Sequence, residues 1–128
     1  MIDYGFTKEL AMPFEKAVAV VTEALKIEGF GILTSIDIKE KFKEKLGIDF
    51  KKYMILGACN PPNAHKAILA EENIGLMLPC NAIVYEKNDK VVVSIIKPTH
   101  AMAAIGNDQL TQLAQTVEEK LKRAFDSI

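Results

Sequence analysis

Apolar residues recur along this chain with two periods, and the switches between those periods divide it into elements. Phe14, Ala17, Val18, Val21, Ala24 and Leu25 fall three or four positions apart, the spacing that gathers side chains on one stripe of a helix. Pro13 starts that helix. Gly29 ends it, because glycine takes the left-handed conformation a helix terminus often requires. The clearest helix is the last, where Leu110, Leu113, Ala114, Val117, Leu121, Ala124 and Phe125 share a face. Asp108 in its first turn and Lys122 and Arg123 in its last complement the helix dipole.

Between these helices the period shortens. Residues 2–8 are apolar and β-prone and read as an opening strand. "FGILTSIDI" puts Phe30, Ile32, Thr34, Ile36 and Ile38 on one side, the alternation of a half-buried strand. A short lysine-rich helix follows, with Ile38, Phe42 and Leu46 on its apolar line and Gly47 stopping it. "YMILGAC" reads as a buried strand, "NPPNAHKAILAEEN" as a helix, and "IGLMLPCNAIVYEK" as a long strand interrupted at Pro79. Asn88-Asp89 supplies turn chemistry before "KVVVSIIK", so these last two strands form an antiparallel hairpin. The expectation is a single α+β domain over residues 1–128. Its sheet is mostly antiparallel with about five strands, helices pack against it, and the order is β-α-β-α-β-α-β-β-α.

Composition narrows the function classes. Apolar residues are 49% and charged residues 26%, ordinary for a globular chain large enough to bury a core without metal or disulfides. A net charge of −1 gives no global reason to expect nucleic acid or a membrane surface as partner. Six lysines between Lys39 and Lys52 read as the solvated face of a short helix, with an anion-binding patch as the alternative. Neither a leader peptide nor a stretch near ~20 apolar residues is evident. With only two cysteines, the default expectation is a cytoplasmic protein with free thiols.

Those two cysteines each stand beside an asparagine, in "GACNPPNAH" and, twenty-one positions later, in "LMLPCNAIVYE". Asn60 suits a helix cap and Pro61 the first helical position, where a missing N–H costs nothing. A thiol at Cys59 would then lie in the positive end of the helix dipole, beside N–H groups that could hold an anion. Pro79 cannot donate to a strand ladder and implies a break or bulge. Asn81, set between apolar runs, is expected to be buried and to need hydrogen-bond partners, either from the loop carrying Asn60 or from a ligand.

Together, "YMILGACNPPNAHKAI" and "IGLMLPCNAIVYEKNDKVVVSI" resemble the bacterial and archaeal proteins grouped as domain of unknown function 302. The resemblance covers most of the chain and implies a compact α+β domain that associates as a homodimer. Its hallmark positions here are Cys59, Asn60, Pro61, Pro79, Cys80 and Asn81; it supplies no reaction and no cofactor. His100, in "KPTHAMAAIG", is a candidate peculiar to this chain.

Four functional readings result. The first is a small-molecule cleft at the two Cys-Asn blocks, walled by Met54, Leu56, Met77 and Leu78. The second is a thiol or soft-metal site drawing on Cys59, Cys80, His100 and Met102, although the spacing matches no zinc pattern. The third is catalysis by Cys59 with His65 as base, without any supporting carboxylate pair or phosphate loop. The fourth is a non-catalytic homodimeric domain.

Overall fold

Helix α1 (Phe14–Ile27) ends as the glycine at 29 predicts. Gly29 has φ +88°, its N–H donates to the Lys26 carbonyl at 3.0 Å, and the Phe30 N–H donates back to the Leu25 carbonyl at 2.9 Å. This is the Schellman arrangement, and the residues it brings together, Leu25 and Phe30, are both buried. The helix end therefore aims the chain into β2 (Gly31–Asp37) with an aromatic anchor already in the core. The computed structural model describes residues 2–128; Met1 lies outside them.

The remaining elements are β1 (Gly5–Leu10), α2 (Ile38–Leu46), β3 (Tyr53–Cys59), α3 (Pro61–Ala70), β4 (Cys80–Lys87), β5 (Lys90–Ile96), α4 (Pro98–Met102) and α5 (Asp108–Asp126). All strand pairs are antiparallel, in the order β1-β5-β4-β3-β2. The expected order of elements holds, with α4 and two 3₁₀ segments, Glu72–Met77 and Ala103–Ile105, added between them. The β4–β5 turn has positive φ at both Asn88 (49°) and Asp89 (64°). That is the two-residue geometry matching strand twist, which asparagine and aspartate tolerate.

One sheet face carries Leu56, Ala58, Ala82, Val84, Val91, Val93 and Ile95, and the α1 and α5 stripes cover it. A smaller cluster of Ala67, Ile74, Met102, Leu110 and Ala114 joins α3, α4 and the first half of α5. No helix among the described residues is long and apolar enough to cross a membrane.

Three segments depart from the sequence pattern. In β2 the register shifts between Ile32 and Thr34. The strict alternation breaks there: Phe30 and Ile32, the latter opposite Ala58, pack on the core, whereas Thr34 and Ile36 stand opposite Gly57 and Ile55 and turn to the other face, leaving Ile36 38% exposed. Helix α2 buries none of its residues: Phe42 meets Phe50 edge-on at 5.1 Å and Leu46 stays exposed. The basic stretch forms local ion pairs, Lys41–Glu44 and Lys43–Asp49, consistent with a solvated face. Finally, α3 stops at Ala70, residues 72–77 make a 3₁₀ segment, and β4 begins only after the cis Leu78–Pro79 peptide. In that segment Ile74 alone is buried, too little to hold a strand.

Candidate functional site

A hollow of about 280 Å³ lies where the ends of β3 and β4 meet α3, α4 and the first half of α5. Its walls are largely small or aliphatic: Ala58 and Cys80 from the sheet, Ala64 and Ala67 from α3, Met102 from α4, Leu110 and Ala114 from α5. The small residues create the space. Where the second half of α5 presents Val117, Leu121 and Ala124 to α1 and the sheet, the packing closes into the main core.

Asn60 positions the first block. Its Oδ1 accepts from the Asn63 N–H at 3.3 Å and its carbonyl accepts from the Ala64 N–H at 2.9 Å, fixing the start of α3. Its amide nitrogen lies against Gly29, where an added Cβ would come within 2.9 Å of it. A side chain at 29 would thus disturb both the left-handed turn and this cap. Pro61 and Pro62 have no N–H to give, and the Asn63 N–H is already taken by Asn60. The first turn of α3 leaves no free donor, contrary to the anion cradle expected from sequence.

The second block is held by Gly57. A Cβ there would approach Thr34 Cγ2 at 2.6 Å and Pro79 Cγ at 2.8 Å, so only glycine lets these two side chains close over β3. Cys80 pairs with Ala58 and packs on the core side. Burial, with a smaller contribution from nearby Cys59, pushes its thiol up to about 11. At neutral pH Cys80 is a protonated, weakly polar wall. No disulfide joins the two cysteines.

A family model described as "Domain of unknown function DUF302" matches residues 6–128. The chain belongs to that family. It is similar to a crystal structure of an uncharacterised conserved DUF302 protein from Bacillus stearothermophilus, at 30% identity and a TM-score of 0.89 over 96% of each chain. No curated protein matches it.

In this DUF302 domain the two blocks meet at one hollow, but only in part. Cys59, Asn60, Pro79 and Cys80 line it; Pro61, Asn81 and His100 do not. Asn81 follows Cys80 on the opposite face of β4, opposite Gly57, and is exposed where burial was expected. Pro61 is exposed at the helix start. His100 is exposed, with its ring 6.3 Å from Tyr4, while its neighbours Pro98 and Met102 line the hollow. His65 is exposed on α3 and is not among the lining residues. Of the expected walls only Leu78 serves: Met54 and Leu56 belong to the main core and Met77 is exposed. No three His, Cys, Asp or Glu side chains among the described residues gather to hold a metal.

Sequence reasoning missed the alanines. Their signal was available: Ala64 and Ala67 are three apart on α3, and Ala114 interrupts the leucines of α5. Ala114 falls on the buried stripe of the last helix, where alanine reads as close packing, and the sequence assigns Ala64 and Ala67 no face at all.

Proposed function

We propose that this domain binds a small molecule in the hollow between α3, α5 and the Cys-Asn blocks, and that it carries out no chemistry there. The carrying observation is the hollow itself: about 280 Å³, close to the size of small-ligand pockets, apolar in its walls and bordered by a few polar groups. The carboxamides of Asn60 and Asn63 are those polar groups, on a helix start that Asn60 itself makes rigid. A catalytic role for the cysteines draws no support from a protonated Cys80 and from histidines that line no part of the hollow.

Thermal-shift screening of a metabolite library against the wild type and Ala64→Phe tests this reading. A ligand at one hundred times its Kd stabilises by roughly 2.7 kcal/mol. The expected result is a compound that raises the wild-type Tm and not that of the variant, whose added ring fills the space. Circular dichroism confirms that the variant is folded. A library in which nothing separates the two proteins removes the proposal.

A second reading, association as a homodimer, has its own support. The sheet face opposite α1 and α5 presents Tyr53, Ile83 and Tyr85 within a border that includes Glu9, Lys51 and Lys87, and a shallow hollow there is bordered by no helix residue. An apolar centre with a charged rim on a sheet face that no helix covers is a surface that a second layer can cover. Sedimentation of the wild type and Ile83→Glu at micromolar concentration separates the cases: a dimer that the glutamate dissociates is expected, and a monomeric wild type excludes it. In both readings the protein works in the cytoplasm.

A further inference from the structure

The binding hollow can be read for the charge of its ligand as well as for its size. None of its lining residues is ionic. Its exposed lining residues, which mark the mouth, are Leu33 and Ile68, so the way in is apolar too. The adjacent helix start contributes a dipole but no hydrogen bond, because Pro61 and Pro62 lack N–H groups and Asn63 donates to Asn60. An anion placed there would lose its hydration for at most the neutral amide donors of two asparagines, with no free backbone N–H and no counter-ion, and a cation would meet no carboxylate. The groups that remain are the uncharged carboxamides of Asn60 and Asn63, which can bond a hydroxyl, carbonyl or amide, together with the protonated Cys80 and the Cys59 sulfur.

Resting on the ligand-binding reading above, we infer that the hollow selects an uncharged, largely apolar molecule with a single neutral polar end, a short alkyl alcohol or amide or a small ring. At the ~30 Å³ that each water takes up in the liquid, the hollow holds roughly nine non-hydrogen atoms. The apolar part fills the space between Ala67, Leu110 and Ala114, and the polar end stays near Asn60 and Asn63.

Three probes of equal chain length isolate the charge: 1-heptanol, heptanoate and heptylammonium, titrated into ¹⁵N-labelled wild-type protein at neutral pH. The amides of Ala64, Ala67 and Ala114 report the hollow. Heptanol is expected to shift these amides with an affinity at least about tenfold above either ion. Heptanoate is expected to gain affinity as the pH is lowered to about 5, where its carboxyl begins to protonate. Ala64→Phe, and independently Ala67→Leu should the first variant fail to fold, is expected to abolish the heptanol shifts. If either ion binds the same amides as tightly as heptanol at neutral pH, the charge selection is wrong while the binding reading stands. If no probe moves those amides and the library screen also yields nothing, both fall.

Discussion

Helix α5 packs its two halves in opposite ways. Its second half, through Leu121 and Ala124, closes against α1 and the sheet to make the main core, with Val117 at the junction bordering both the core and the hollow. Its first half, through Leu110, Leu113 and Ala114, faces Ala64 and Ala67 of α3 across a hollow. The stripe is continuous in sequence, so helix periodicity does not distinguish the halves. The difference lies in what each half meets: α1 and the sheet, which close on it, or α3, whose Ala64 and Ala67 leave space. A continuous amphipathic stripe specifies which face is buried, and the partner surface decides whether that face is packed or vacant.

The largest effect that sharpens this contrast is expected from Leu121→Ala. It opens a void in closed packing and costs about 2–5 kcal/mol, whereas Leu110→Ala should cost at least about 1 kcal/mol less, because Leu110 already lacks neighbours on the hollow side. Urea unfolding of both variants measures this, and equal losses would mean that the two halves are packed alike.

Cys80 lies at the boundary between the two regions. The unfolded chain releases this thiol proton near pH 9, and the folded chain holds it to about 11. The burial therefore contributes stability that is complete below pH 9 and disappears as the pH climbs to 11, on the order of 2–3 kcal/mol. The wild-type urea midpoint should fall more steeply through that window than that of Cys80→Ala. Parallel curves would show that the thiol is reached by water.

Smaller still is Asn60→Ala. Loss of the cap costs about 1 kcal/mol and should speed hydrogen exchange in the first turn of α3 more than in α5. Least of all is Ala64→Leu, within about 1 kcal/mol of wild type because the hollow accepts the added carbons. In the closed half Ala124→Leu should cost about 1–3 kcal/mol. Similar penalties for the two leucines would argue against a vacant hollow.

Much of the fold was legible because local chemistry and global packing agree. The α1 and α5 stripes, the Gly29 terminus, the Asn60 cap and the Asn88-Asp89 turn each depend on a few neighbouring residues. The errors arose where a distant partner decides the outcome. Leu46 carries the right spacing, yet α2 has no surface to bury it against. Asn81 looked buried because its neighbours are apolar, but a strand alternates faces, and the β3–β4 register sends Cys80 inward and Asn81 outward. Residues 74–78 read as strand by composition, but only Ile74 of the 3₁₀ segment finds a buried place, so their apolar side chains do not build a strand face. Part of the site was legible from the repeated Cys-Asn pairs; the alanines that make its volume acquire meaning only when α3 and α5 are brought face to face.

The register shift at Leu33 has a bearing on how this edge meets other copies of the chain. β2 is one of two sheet margins whose backbone could recruit a further strand, and a flat, oily margin invites copies to add without end. Displacing the ladder midway through that margin spoils the template for open-ended polymer growth. Straightening it by deleting one residue is expected to speed fibril formation relative to the wild type, as followed by thioflavin fluorescence.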